Sequence, residues 1–257
     1  MMKKIICIAT LASIAGTAYS DDFIGYQNGF ADINVNYLDW SHRTETKTET
    51  TTRKKDFAYI ELEGGANFNW GELYGFFDLE NPFHSQHTDS GRNRRYTIKT
   101  TGRYYLGDTG FNLYGHVYGT WSLPGAKYGG NFHDVNTLYG IGYNTAFGDL
   151  WFKPFIALNY TDQTFYSGNN GYVAGWVAGY NFNVLEENFM ITNWHEMEFA
   201  RNKRYNGGKR DGINGAVAFW WNATKHLSAG VQYRYADNKL GDTFYQDAII
   251  YTLKYTF

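Results

Sequence analysis

Beyond residue 7 the sequence contains no cysteine. Cys7 itself sits in a leader-like stretch, so the mature chain can form no disulfide and offers no thiolate to a metal or a reaction. Proline is nearly as scarce, at three residues, which leaves long extended segments uninterrupted. After residue 20 no stretch approaches the ~18 apolar residues that a membrane-spanning helix requires, and spanning helices are excluded. Neither sign of charge dominates: 23 Lys and Arg face 25 Asp and Glu, a formal net charge of −2. Loss of Lys3 and Lys4 with the leader takes that to about −4, which gives a nucleic-acid polymer nothing to bind.

What is present is aromatic and yet polar. The chain has 23 Tyr, 19 Phe, 8 Trp and 29 Gly, with a mean hydropathy of −0.50. A large water-soluble core explains that mixture poorly. A transmembrane barrel explains it well, because one face of each strand meets lipid, the other meets a polar interior, and aromatic girdles mark both interfaces. Residues 1–20 read as a secretory signal: Lys3 and Lys4, an apolar run, then Ala18-Tyr19-Ser20 before Asp21. Residues 21–257 are expected to form one barrel domain.

The clearest strand is Gln246–Phe257, where Ile249, Tyr251, Leu253, Tyr255 and Phe257 share one face. A strand ending on an aromatic residue needs a neighbour on both sides, which a closed antiparallel barrel supplies by pairing last strand with first. A final Phe also resembles the assembly signal of bacterial outer-membrane barrels. Eleven further strands are expected at 31–41, 57–66, 70–79, 95–106, 111–121, 135–147, 150–161, 171–183, 188–199, 212–221 and 226–236, with residues 21–30 as a lead-in. Connections after even strands are tight, such as 107–110 and 148–149, while those after odd strands are long and polar, such as 42–56, 80–94 and 122–134. That asymmetry belongs to an up-and-down, all-β transmembrane barrel of twelve strands with short periplasmic turns. The charged Thr-rich loop after strand one reads as a hairpin extending above the membrane.

Strand four separates the faces. Arg95, Thr97, Lys99, Thr101 and Arg103 lie on one side, and Tyr96, Ile98, Gly102, Tyr104 and Leu106 on the other. A cation facing mid-bilayer lipid costs ~2–4 kcal/mol, so the charged face points inward. The same rule turns inward Tyr59, Glu61 and Glu63, then Glu72, Tyr74, Phe76 and Asp78, then Tyr114 and His116, then Lys153, Trp194, Glu196, Glu198, Arg234 and Lys254. The lumen candidates for binding a solute are Tyr59, Glu61, Glu63, Glu72, Tyr74, Phe76, Asp78, Lys99, Arg103, Tyr114 and Arg234. Charges of both signs interleaved with tyrosine suit either an internal salt-bridge filling or a path for a small, mostly uncharged solute.

Residues 56–83, DFAYIELEGGANFNWGELYGFFDLENPF, resemble the nucleoside-specific outer-membrane channel family, Tsx-like and including OmpK-type phage-receptor porins. The likeness rests on Tyr59, Ile60, Glu61, Glu63, Leu73, Tyr74, Gly75, Phe76 and Asp78, with NVNYLDWSHR and ITNWHEMEF as further similar segments. The resemblance implies a monomeric twelve-stranded barrel in the lipopolysaccharide-bearing outer membrane. It also implies passive passage of nucleosides or similar small polar solutes, no cofactor, and loops that can serve a bacteriophage as receptor. Two other classes stay open: a non-conducting structural or adhesive barrel, and an outer-membrane hydrolase. For the hydrolase, a serine two residues from a histidine is missing, since Tyr118 follows His116 and Met197 follows His195. His84, His87, His116 and His133 lack metal-ligand spacing, and the Asp89 and Asp134 neighbours of the loop histidines are of a common kind.

Overall fold

The computed structural model describes residues 25–84, 93–122 and 132–257. The expected signal, residues 1–20, lies outside them, as do His87 and Asp89. The strands are β1 (Tyr26–Trp40), β2 (Phe57–Phe68), β3 (Gly71–Glu80), β4 (Arg95–Tyr105), β5 (Phe111–Ser122), β6 (His133–Tyr143) and β7 (Thr145–Phe147). They continue as β8 (Leu150–Gln163), β9 (Tyr166–Val184), β10 (Glu187–Phe199), β11 (Gly212–Asn222), β12 (Leu227–Asp237) and β13 (Gln246–Thr256). The short β7 prolongs β6, so the sheet has twelve staves, all antiparallel. β1 pairs with β13 from Asp32–Thr256 to Trp40–Ala248, and the barrel is closed.

Period-two patterning drives this closure. Val35, Tyr37, Leu62, Leu73, Phe77, Leu113, Val117, Ile141, Leu253 and Tyr255 are exposed on the outer wall, whereas their strand neighbours Asn34, Asn36, Thr97, Asn112 and His116 are buried inside. Polar groups at bilayer level on the outer wall satisfy one another, as a lipid environment demands. Trp176 donates to Asn193 (2.6 Å), Asn193 donates to the Ala216 carbonyl (2.8 Å), and His195 Nδ1 meets the Tyr235 hydroxyl at 2.8 Å.

Three expectations change. Residues 26–30 belong to β1, paired with β2 from Phe68 onward, and are no lead-in. β8 and β9 extend well above their expected ends to a two-residue turn, Thr164-Phe165. Their register slips between Leu158 and Tyr160, beside Gly171, whose φ of +78° an L side chain rarely adopts. The slip turns Asn170 inward, where it donates to Thr161 (3.0 Å) and accepts from the Asn202 amide (3.1 Å). Third, the charged loop after β1 is no hairpin extension but a short helix, α1 (His42–Thr48). Ser41 caps it by accepting from the Thr44 amide at 3.2 Å, and Thr44 and Thr48 are buried.

The sixth stave breaks at Asn144 for a local reason. Opposite the break lie Lys153 and Pro154, and Pro154 has no amide to give a ladder. Arg103 fills the gap, donating to Lys153 O (3.1 Å), Pro154 O (3.4 Å) and Asn144 Oδ1 (3.2 Å). A side chain at Gly142 would occupy the place of that guanidinium.

The long loops at the other end from the turns are stitched together. Asp242 accepts from Thr51 (2.8 Å) and Thr52 (2.5 Å), Lys54 donates to the Leu240 carbonyl (2.8 Å), and Asn206 donates to Asn238 O (2.6 Å) and Asp242 O (3.1 Å). Burial, then the nearby Arg95, pushes the Lys54 ammonium down from 10.5 to about 8.

Candidate functional site: a bridged, charged lumen

The inward face is organised at three levels. At the periplasmic end Glu72 accepts from Lys153 (2.6 Å) and lies 3.4 Å from Arg103 Nε, with Tyr105 donating to it at 3.3 Å. The Arg103 guanidinium sits 4.8 Å over the Tyr114 ring. Tyr114 in turn stacks on Phe155 at 4.2 Å within an apolar patch that includes Leu138, Ala157 and Val173. Of the expected solute-facing residues, Glu72, Arg103 and Tyr114 are thus gathered into one packed knot. Arg103 is only 2% exposed, so its donors go to the protein and not to a passing solute.

At mid-height one wall is acidic. Glu63 accepts from Lys254 (2.8 Å) and from the Tyr74 hydroxyl (2.6 Å), and Lys254 also stands 3.5 Å from Asp32. Asn34 reaches across with one amide to Glu61 and Glu63. Glu61 lies beside Asp78 in the β2–β3 register. One oxygen each of Asp32, Asn34 and Asp78 is buried without a hydrogen-bond partner. Tyr59, further up, packs against the apolar cluster of Leu38, Trp40, Phe57 and Ile250. Tyr59, Glu61, Glu63, Tyr74 and Asp78 are expected here from the sequence; Asp32 and Asn34, with the ion pair of Asp32 to Lys254, are not, although inward parity on β1 marks both.

The opposite wall meets this one across the bore. Trp194 on β10 lies 5.8 Å from Lys99 on β4, five staves away in a ring of twelve, and 5.9 Å from Arg234 on β12. His116 on β5 comes within 4.0 Å of Glu196 and 3.0 Å of the Tyr114 hydroxyl. Phe76 and Tyr118 meet edge to face at 6.5 Å beside them. This belt spans the bore and brings together one indole, the Lys99 and Arg234 cations near its ring, and the Glu196 carboxylate beside His116. Lys99, Phe76 and Arg234 are among the site residues expected from the sequence. Trp194, Glu196 and His116 are expected to face inward, but nothing in the sequence marks them as a belt.

At the exterior end Lys239 drops from its loop onto Glu198 and lies 3.6 Å from Glu196. Burial works against that charge, but Glu198 and then Glu196 outweigh it and hold the ammonium above the usual lysine range. Arg201 likewise bonds Glu198 at 3.0 Å. No periodicity could place these two, because loop residues carry no facing rule. Among the described residues no group of three or more His, Cys, Asp or Glu is arranged to hold a metal ion.

Comparison with solved structures gives a matching architecture. The chain is similar to a NanC porin, at 12% identity and a TM-score of 0.51 over 88% of this chain and 98% of that one. A looser likeness is to the outer membrane channel DcaP of Acinetobacter baumannii, at 9% identity and a TM-score of 0.45 over 90% of this chain and 96% of that one. The first supports the closed β-barrel fold. The family described as nucleoside-specific channel-forming protein, Tsx, matches residues 35–257, which takes in the Trp194 belt, most of the closing seam and the acidic wall apart from Asp32 and Asn34, and the chain belongs to that family of outer-membrane channels.

Proposed function

We propose that this channel passes nucleosides, or ring-bearing polar solutes of similar size, down their gradient through the Trp194 belt. The observation that carries the reading is the cross-lumen meeting of Lys99, Trp194 and Arg234 opposite an acidic wall. An indole face stacks on a planar base, worth ~1–3 kcal/mol per base in other proteins. Unpartnered oxygens on Asp32, Asn34 and Asp78 accept from amino or hydroxyl groups. Carboxylates and cations flanking one another leave no strong preference for a charged solute. Passage needs no cofactor and no energy source. The signal at residues 1–20 is removed during export, and one copy of the chain forms one channel.

The test is planar-bilayer conductance of the refolded mature chain with adenosine or thymidine added stepwise. Small discrete openings that each nucleoside blocks saturably support the reading, and Tyr74→Ala or Glu61→Gln is expected to weaken the block. Openings that no nucleoside blocks would leave a general porin. A silent bilayer would favour the plugged structural barrel, for which the bridges at three levels of the lumen are the supporting observation, and would turn interest to the exterior loops as a phage receptor.

A further inference from the structure

The only bases on the described strands are Arg95, Lys99, Arg103, Lys153, Arg234 and Lys254, and all of them belong to the inward face. Four of these are ion-paired along the wall: Arg95 with Glu80 (2.6 Å), Arg103 (3.4 Å) and Lys153 (2.6 Å) with Glu72, and Lys254 with Glu63 (2.8 Å). Lys99 and Arg234 are not. Neither has an ion-pair partner, or an acceptor for a side-chain hydrogen bond, among the described residues. Arg234 Nε is buried in that unsatisfied state.

Both free cations converge on one indole, at 5.8 Å and 5.9 Å from the Trp194 ring, where their like charges repel one another. The acids that face them are engaged elsewhere. Glu196 and Glu63 both act on Lys99 from a distance. Glu196, however, stands between Lys239 (3.6 Å) and His116 (4.0 Å), and Glu63 accepts from Lys254 (2.8 Å) and the Tyr74 hydroxyl (2.6 Å). Asp78, on the opposite wall, faces Arg234 from beyond ion-pair distance and lies beside Glu61. At the exterior end Lys239 and Arg201 offset Glu196 and Glu198 charge for charge. The lumen as a whole mixes both signs, but at the belt two positive charges are left over. Coulombic attraction falls with distance, so the acids across the bore weaken this surplus without filling it.

One aromatic face with two unpaired cations beside it calls for a ligand that carries both a ring and an oxyanion. We propose that the belt is an oxyanion subsite, in which the ring of a solute lies on Trp194 while its carboxylate or phosphate is held by Lys99 and Arg234. Guanidinium and ammonium groups hold oxyanions by charge-assisted hydrogen bonds, the arginine through paired N–H groups and the lysine as a movable point charge. The assignment rests on reading the lumen as a solute path and narrows that reading: a ring-bearing solute with a negative group is retained longer than its neutral counterpart. The acids of the opposite wall keep the retention modest, and a conducting path needs its sites weak enough to let the solute leave.

The experiment compares matched neutral and anionic probes, benzamide with benzoate and adenosine with adenosine 5′-monophosphate, near neutral pH. Block of single-channel current is the first readout, and isothermal titration of the refolded chain in detergent gives the same ratios if the bilayer is silent. The anion of each pair is expected to act at about threefold to tenfold lower concentration than its neutral partner. In the double variant Lys99→Met, Arg234→Met that ratio is expected to fall to about one, whatever happens to the neutral probes. Heat-modifiable gel mobility confirms folding, and each single variant, with a partial fall in the ratio, serves if the double does not fold. An advantage for benzoate alone, or for the monophosphate alone, carries the proposal and identifies the oxyanion as carboxylate or phosphate. Equal action within both pairs, or an anion advantage that survives the double variant, would overturn it. The two readings fail separately: adenosine acting with no gain from charge leaves the nucleoside path and removes the subsite, whereas benzoate acting where adenosine does not leaves the subsite and removes the nucleoside.

Discussion

Lys254 is the only basic side chain set into the acidic wall by direct ion pairs among the described residues, and its removal has two separable consequences. It stands 2.8 Å from Glu63 and 3.5 Å from Asp32, with the three side chains 18%, 15% and 3% exposed. Breaking a buried pair by deleting one partner costs about 3–5 kcal/mol, because the other charge stays behind. The residual exposure puts Lys254→Met at the lower end, about 3 kcal/mol of destabilisation. Glu63→Gln keeps the Tyr74 hydrogen bond and relieves one of the stranded acids. The double variant is therefore expected to be more stable than the sum of the singles by about 1–3 kcal/mol. Urea unfolding in lipid vesicles followed by tryptophan fluorescence measures all four corners of the cycle. The second consequence is electrical: Asp32, Glu61 and Glu63 lose the cation that faces them, so reversal potentials under a KCl gradient shift toward cation preference. Additive single variants together with an unchanged reversal potential would refute this account of the wall.

Trp194→Ala removes the indole that Lys99 and Arg234 approach; single-channel conductance is expected to rise and nucleoside block to weaken about fivefold or more, from a stacking loss of ~1–3 kcal/mol. Lys54 has a folded pKa of about 8 against an ordinary 10.5, so the unfolded chain retains a proton that the folded one has shed. Both forms are charged below pH 8, where a cost of about 3 kcal/mol is fully present, and stability is expected to rise between about pH 8 and about pH 10.5, a slope that Lys54→Met abolishes in unfolding titrations. Leu185 and Glu186 form the β9–β10 turn with φ of +50° and +67°, a conformation that suits Asn-Gly. Leu185→Asn with Glu186→Gly is expected to raise the unfolding midpoint, by about 1–2 kcal/mol in stability.

The staves were legible because lipid imposes a strict rule on them. One misplaced cation in Arg95–Tyr105 is expensive enough to fix the facing of β4, and with it Lys99 and its cross-strand partner Phe76. The fold followed from repeating that inference strand by strand. Loops escaped the rule. Thr44, Glu45, Thr46 and Lys47 alternate like a strand, yet Ser41 caps a helix there, and contacts with Asp247 decide the outcome (2.8 Å from Ser41 Oγ, 3.2 Å from Arg43). Lys239 and Arg201 reach the lumen by descending from above, which parity along a strand cannot register. Arg103 was correctly turned inward, but its role depends on Pro154 and Gly142, two residues on other staves that make a socket for it. Sequence pattern gave the direction of these side chains; which of them meet across the bore depends on the barrel's closure.

The seam between β1 and β13 sets the order in which such a chain can assemble. Every other stave pairs with its neighbour in sequence, so those contacts need only local closures, through tight turns on the microsecond scale after even staves and through longer loops after odd ones. Among these strand pairings the seam alone joins parts far apart in the chain, Asp32 with Thr256 and Trp40 with Ala248. Loop-closure entropy grows slowly with length, by about 0.6 kcal/mol per doubling, so distance along the chain is a modest obstacle. The larger one is sequence of events: two sheet edges stay open until all the hairpins exist, and during that interval they are the surfaces through which the chain can mispair. Asp247, held by Ser41, Thr44 and Arg43 at one end of the seam, then acts as a latch whose loss should slow the final zipping while sparing the hairpins formed before it.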